Sequence, residues 1–547
     1  MVTETQTRMQ DAERIARRRL GFDSLHPGQR AALEAILSGH DTLAVLPTGS
    51  GKSAIYQVAS ALLPGPTVVI SPLIALQRDQ VQAIEASRLG AAAAVNSTES
   101  EGDREEIIEE FQEHDVDYLF LAPEQLNNEE IITDLKAAKP SLFVVDEAHA
   151  ISEWGHDFRP EYLRLGSVVD AVGHPRVLAL TATASPSVRD EIIKRLHMRN
   201  PQTVVRGFDR PNIRLGVERF HDERRKTEAL LERVREAPTP GIVYVATKKH
   251  AEEIDEKLRA EGIKSVHYHA GMSARARRQA QDAFMDGEAE VMVATIAFGM
   301  GIDKEDVRFV FHHDISDSID SYYQEIGRAG RDGQEARAIL FYRPEDLGLH
   351  RFFAGGGRIS REEVETVLAI IAEAGTPLSP REIHQRSGLS LAKVNTAVTR
   401  LGDVGVITIG TTGEVTETEK HLPEGEAKRK AVEADEHHHA FERSRIDMMR
   451  GYAELYNCRR QYILNYFGED FAPPCGNCDN CQAGIYVPED RADQPFPLGS
   501  RVLHRSLGPG LVERYDGSDI VILFEESGYK TLDLDFVREY GVLDAAG

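Results

Sequence analysis

Two adjacent carboxylates close an apolar run. Leu142-Phe143-Val144-Val145 leads into Asp146-Glu147-Ala148-His149. Four apolar residues read as a buried strand, and its C-terminal end is where an open parallel sheet binds ligands. There Asp146 can hold Mg²⁺ on a nucleotide, and Glu147 can orient or deprotonate a water. Such chemistry needs a phosphate cradle upstream. Pro47-Thr48-Gly49-Ser50-Gly51-Lys52-Ser53 supplies one, after the expected strand Thr42 to Leu46 and before a helix. Glycines let backbone N–H groups wrap phosphates, and a helix N-terminus favours the anion. Lys52 would reach the β- and γ-phosphates and Ser53 the Mg²⁺.

Three further clusters carry chemistry. The loop after the carboxylates holds Trp154, His156, Phe158 and Arg159, and Trp154 is the chain's single tryptophan. Its polar neighbours argue against a core strand, and an aromatic with an Arg beside a nucleotide site suits stacking on bases. Downstream, Gln324 precedes Arg328 and Arg331, two arginines three apart, expected on one face of a helix. Placed across a cleft, they can stabilise charge on a γ-phosphate as an arginine finger does. All four cysteines fall between 458 and 481. Cys475, Cys478 and Cys481 are spaced to fold round a tetrahedral Zn²⁺, and Cys458 closes a structural site.

The elements that must position these groups follow from length and rhythm. At 547 residues the chain is too long for one core. Hydrophobic content of 41% and charged content of 28% are those of an ordinary globular protein. No apolar run has membrane-spanning length, so a cytoplasmic, nucleoid-associated location without membrane contact is expected. A net charge of −25 disfavours nucleic acid unless a basic groove sits on an acidic body. Expected strands at 42–46, 67–70, 118–121, 142–145 and 177–180 make an α/β domain over 1–207. After the turn-rich Phe208-Asp209-Arg210-Pro211-Asn212, the rhythm restarts over 208–353 without a second phosphate loop. The fold class is therefore α/β with two parallel-sheet lobes. Three helices, the second capped by Ser379 and the third opened by Ser390, and a two-stranded wing suggest a winged helix over 354–422. Its seven Lys/Arg against nine Asp/Glu leave DNA contact by Lys393, Asn395 and Arg400 and a purely structural role equally open. A helical zinc module at 423–484 and a linker with a small SH3-like barrel at 485–547 complete the chain. In the zinc module, Arg459 and Arg460 can reach DNA phosphate, and the His437-His438-His439 run reads as solvated.

From Gln29 to Gly333 the order and wording of these motifs resemble the RecQ family of DNA helicases. The phosphate loop, with Leu46 where the general pattern has Gly, is the variant seen in superfamily-2 helicases. The resemblance implies two RecA-like lobes and an ATP-dependent helicase moving 3′ to 5′ in DNA repair and recombination, with ATP, Mg²⁺ and Zn²⁺. It implies adenine recognition by Gln29 and sugar contact by Asp303. Lys52, Asp146, Glu147, Gln324, Arg328 and Arg331 would carry hydrolysis, and Trp154 and Phe158 would couple it to single-stranded or tailed duplex DNA. One departure concerns order: typical members place a winged helix after the zinc module, and here it comes before. A translocase or adaptor without unwinding, and an RNA-stimulated ATPase, remain open alternatives. The terminal barrel resembles the Tudor-like module of UvrD-type helicases. Its six Lys/Arg against twelve Asp/Glu favour a protein partner over DNA, with RNA polymerase as the candidate that resemblance suggests.

Overall fold

The structure is a computed structural model. It describes residues 4–72, 74–96, 101–152, 159–299, 304–354, 359–411, 413–418, 424–486, 494–516 and 518–546. The chain divides into two compact bodies, Met1–Gly207 with Gly357–His438, and Phe208–Gly356 with His439–Gly547.

The first body is built on seven strands: β1 (Thr42–Val45), β2 (Thr67–Ile70), β3 (Ala92–Val95), β4 (Tyr118–Leu121), β5 (Leu142–Val145), β6 (Arg176–Thr181) and β7 (Gln202–Val205). All pairings are parallel, in the order β3-β4-β2-β5-β6-β1-β7. β1, β2, β4 and β5 are buried along their whole length. That is why they read as continuous apolar runs rather than alternating ones: helices cover both faces of a parallel sheet. β6 separates β1 from β5. The phosphate loop leaving β1 and the carboxylates leaving β5 therefore flank the end of β6, where chain order reverses across the sheet.

Fused to this lobe, helices Arg361–Ala374, Pro380–Ser387 and Leu391–Asp403 pack with a hairpin of β14 (Ile407–Ile409) and β15 (Val415–Glu417); strands β8 to β13 belong to the other body. Each helix opens on a serine. Ser360 with Glu363, and Ser379 with Glu382, form reciprocal capping boxes, and Ser390 accepts from the Lys393 N–H. Such caps satisfy otherwise orphan amides and contribute about 1 kcal/mol each. Val364, Leu368, Ile383, Val394 and Leu401 fill the core, joined by Ala431 from the long helix Glu424–Glu454.

In the second body, β8 (Ile213–Arg219), β9 (Gly241–Tyr244), β10 (Ser265–Tyr268), β11 (Val291–Ala294), β12 (Phe309–His312) and β13 (Ala336–Tyr342) form a second parallel sheet, ordered β10-β11-β9-β12-β13-β8. Against edge strand β8 lies the cysteine module: Leu215 N donates to Asn477 O at 3.2 Å, and Val217 N donates to Asp479 Oδ2 at 2.9 Å. A five-stranded antiparallel sheet ends the chain. It comprises β16 (Arg501–His504), β17 (Gly508–Asp516), β18 (Asp519–Phe524), β19 (Gly528–Asp533) and β20 (Leu543–Ala545). The sheet is seated on the helical module. Arg514 lies 3.8 Å from the Tyr462 ring centroid, and Tyr529 packs near Phe441 and Tyr466. No helix among the described residues is long and apolar enough to cross a membrane.

Candidate active site

Asp146 continues the β5 ladder, its N–H donating to Ile70 O at 2.9 Å. Asp146 is half-buried, and its carboxyl is pushed up to about 7, first by desolvation and then by the Glu147 charge, with the Lys52 ammonium opposing. That opposition places Lys52 beside the carboxyl. Lys52 Nζ also donates to Leu46 O at 3.2 Å and Pro47 O at 3.4 Å, so it curls back over its own loop. An oxygen donor set with a half-buried acid and the hydroxyl of Ser53, which opens the helix Ser53–Ser60, fits Mg²⁺. Asp146 and Ser53 would hold the ion, with ATP phosphates on the Thr48–Ser53 loop. The ion would neutralise phosphate charge during hydrolysis.

Glu147 follows in the left-handed region at φ 48, a conformation that costs about 1–2 kcal/mol for a residue with a Cβ. The turn points its side chain back toward His149. Glu147 Oε2 lies 3.3 Å from His149 Nδ1, and the same nitrogen lies 2.9 Å from Thr181 Oγ1. The Thr181 hydroxyl donates to Thr183 O at 2.9 Å, which leaves it to accept from His149 Nδ1–H. The hydrogen bond therefore runs from His149 to the Thr181-Ala182-Thr183 turn after β6, and Glu147 Oε2 approaches the same ring without bonding to it. His149 had no role assigned from sequence; its place in the Asp-Glu-Ala-His run was the available signal.

Gln29 braces the phosphate loop. Its Nε2 donates to Ser50 O at 2.9 Å and Gly51 O at 3.0 Å, and its Oε1 accepts from His26 N at 2.9 Å. Both ends of the amide are engaged by backbone. Gly51 is needed twice over: its φ is +68, and a Cβ there would stand 2.7 Å from Gln29 Nε2. Tyr162 OH donates to Asp146 O at 3.2 Å, and Arg159 is half-buried with its N–H bonded to Ala150 O. Trp154, His156 and Phe158 lie outside the described residues, as does Asp303.

In the second body, Gln324 is half-buried on helix Ile319–Ile326. Arg328 and Arg331 do not share a helix face as expected. The helix stops at Ile326 with Gly327 as cap, and both arginines stand in the turn that follows. The turn is held from outside. Arg210 donates to the carbonyls of Gly327 at 3.0 Å, Ala329 at 2.8 Å and Gly330 at 3.1 Å, and Asn212 Nδ2 donates to Gly330 O at 2.8 Å. Carbonyls captured by side chains are not available to continue a helix, and Gly330 takes φ +57. Arg328 is buried, next to Tyr244, whose hydroxyl is raised to about 12 by burial. Arg210 and Asn212 were placed by sequence in a linker; they are the residues that sequence reasoning missed.

The same segment meets the cysteine module. Asn477 Nδ2 donates to Pro211 O at 2.9 Å, Tyr323 OH donates to Phe208 O at 2.8 Å, and Phe208 stacks on Phe467 at 4.5 Å and 4°. The sulfurs of Cys458, Cys475, Cys478 and Cys481 all lie within 4.8 Å of one another. Hydrogen bonding from Cys458 and Cys475 holds the Cys478 thiol far below its usual range. Four converging sulfurs fit Zn²⁺, and these four residues would hold it as a structural ion.

Three expectations are corrected. Arg459 and Arg460 are 2% and 5% exposed. Arg459 bonds Asp479 and Tyr452 O, and Arg460 bonds Asp209 and Ile213 O. These arginines hold the module together, because a buried guanidinium must satisfy its donors internally. His439 is buried rather than solvated. On helix Leu391–Asp403, Arg400, offered for DNA contact, is buried against Asp435 at 3.4 Å, while Lys393 pairs with Glu363 and stays half-exposed. The wing rests on the first lobe: a Cβ at Gly413 would meet Arg164 Nη1 at 3.5 Å and Asn127 Oδ1 at 3.8 Å.

Family models agree with this geometry. Residues 26–192 match the DEAD/DEAH box helicase model, 225–333 the helicase conserved C-terminal domain and 416–482 the RecQ zinc-binding model. The chain is 33% identical over 495 residues to the probable ATP-dependent DNA helicase RecS of Bacillus subtilis, covering 89% of this chain and 95% of that one. It is 34% identical to the ATP-dependent DNA helicase RecQ of Pasteurella multocida, covering 84% of this chain but 60% of the longer relative. Among solved structures, the DUF1998 helicase MrfA bound to DNA shares the fold, with a TM-score of 0.53 at 16% identity over 78% of this chain and 60% of that one. Two parallel-sheet lobes, one with a phosphate loop facing paired carboxylates, and a four-cysteine module on the second make this chain a member of the RecQ family of ATP-dependent DNA helicases.

Proposed function

We propose that the chain couples ATP hydrolysis to 3′-to-5′ movement on single-stranded DNA and to duplex unwinding, in repair and recombination. One observation supports this most: Glu147 Oε2 stands 3.3 Å from His149, whose ring is hydrogen-bonded to Thr181, so the hydrolytic carboxylate lies against the residue that holds the turn after β6. Lys52 and the Thr48–Ser53 loop bind the phosphates, Asp146 and Ser53 take Mg²⁺, and Glu147 orients the water. Gln324, Arg328 and Arg331 act on the charge that develops on the transferred phosphate. Gln29 serves the nucleotide by fixing the loop that receives it and by offering its remaining Oε1 lone pair to the adenine amino group, and Asp303 serves the sugar. Trp154, His156, Phe158 and Arg159 couple hydrolysis to bases. Residues 1–207 and 208–353 act as the motor lobes, 354–422 as a winged helix, 423–484 as the zinc module and 485–547 as a protein-docking barrel. RNA polymerase is one candidate partner for the barrel, and the cytoplasmic nucleoid is the expected place of action.

The test is ATP-dependent strand displacement on duplexes with a 3′ tail, a 5′ tail or blunt ends, with Lys52→Ala as control. Unwinding confined to the 3′ tail and lost in the variant is expected. DNA-stimulated hydrolysis without displacement would instead identify a translocase or adaptor.

A further inference from the structure

Edge strand β10 carries a group of side chains that nucleotide chemistry does not use. His267 lies on the strand and His269 just beyond it, two positions on, so both project to the same side. Their rings run parallel, 10° apart with centroids at 5.6 Å. Glu252, on the helix Lys248–Ala260, reaches them: its Oε1 is 3.1 Å from His269 Nε2. One nitrogen from each ring and a Glu252 oxygen all lie within 4.8 Å of one another.

Two features separate this cluster from an ordinary polar patch. Asp255, completely buried, accepts from His267 Nδ1 at 2.7 Å. A carboxylate behind an imidazole fixes the tautomer and turns the other nitrogen, Nε2, outward as a lone-pair donor, the arrangement that supports metal-bound histidines. His269 is buried, and the nitrogen it turns to Glu252 is Nε2. The neighbouring cluster of His250, His313 and Asp314 lacks this character. Lys226 Nζ already stands 3.2 Å from Asp314 and 2.8 Å from Asp346, and that buried ammonium occupies the place a metal would take.

We propose that Glu252, His267 and His269 form a second metal site, distinct from the four cysteines, for a divalent ion of the zinc type. Two imidazoles and one carboxylate leave a position for water. Ligand atoms round a tetrahedral zinc stand roughly 3.3–3.5 Å apart for bonds of about 2.0–2.1 Å. The exposed Glu252 side chain can close the remaining gap by rotation. An ion there would fasten helix Lys248–Ala260 to the sheet edge.

The measurement is metal content of the full chain after equilibration with Zn²⁺ and removal of free ion. Two equivalents are expected for the native protein. His267→Ala and Glu252→Gln should each retain one, held by the cysteines, with the melting temperature of the ion-depleted protein little changed. Co²⁺ supplies the second readout. Thiolate charge-transfer absorption should be the same in native protein and variants, while a fraction of the ligand-field absorption disappears in the variants. Asp255→Asn should weaken the second equivalent by about 10- to 100-fold. A single equivalent in the native protein overturns the proposal. So does a second equivalent that survives His267→Ala and is lost with His437 and His438.

Discussion

Asp146 stands half-buried beside Glu147, and its folded-state value of about 7 stands above the ordinary 3.8. The sign follows from desolvation. Below 3.8 the group is protonated folded and unfolded, and its favourable contribution is complete. That contribution is lost as pH rises through about 7, where the folded protein must hold an ionised, desolvated carboxylate. Mg²⁺ binds the ionised form, so proton and metal compete. Calorimetric titration of Mg²⁺ with ADP should show affinity rising about tenfold per pH unit toward about 7 and flattening above it; Asp146→Asn should abolish the slope. A flat native profile would remove Asp146 from the metal. At the neighbouring position, Glu147→Gln should retain nucleotide binding while turnover falls by about 10²- to 10⁴-fold, the range of a positioned base. An ATPase assay beside an equilibrium binding curve separates the two effects.

At the scale of elements, the arginine turn depends on residues far away in sequence. Arg210 makes three bonds to carbonyls of Gly327, Ala329 and Gly330. Arg210→Ala should lower kcat for ATP by about 10- to 100-fold with KM little changed, as a geometric displacement of catalytic groups does. Arg210→Lys should restore part of the rate. A double-mutant cycle with Arg331→Ala checks the assignment. Losses that multiply independently would separate Arg210 from the turn, and an unaffected Arg331→Ala would instead remove the arginine from catalysis. Phe208, stacked on Phe467 and packed against Tyr323, is the apolar pin of the same junction. Phe208→Ala should cost about 3–5 kcal/mol, measurable by denaturant unfolding of the second body.

For the whole molecule, the cysteine module is a structural member of the second body rather than an appendage. It extends edge strand β8, closes on the Phe208–Asn212 segment and carries the terminal sheet on its helices. Chelation of zinc should therefore lower the unfolding temperature of the entire body and depress ATP turnover with it, since the arginine turn shares that segment. A calorimetric trace in which only a small, separate transition is lost would contradict this coupling.

The sequence by itself determined the phosphate loop, the paired carboxylates, the cysteine set and both parallel sheets. Each is a local pattern: glycines before a helix, carboxylates after an apolar run, cysteines three apart, strands buried on both faces. Helix starts at Ser379 and Ser390 were equally legible, because a cap acts within three residues; the Ser360 cap emerged only with the structure. Tertiary structure alone decided what the charged side chains do. Arg210, Arg400, Arg459 and Arg460 look like surface cations in the sequence. Arg400, Arg459 and Arg460 are buried and Arg210 is half-buried, on partners 35, 20, 251 or more than 100 positions away. No local pattern encodes such a partner, and the low-dielectric interior makes it obligatory. The same reason hid the histidine cluster: His267 and His269 stand two positions apart on one side of the chain, but Glu252 and Asp255 join them only when the helix packs on the sheet.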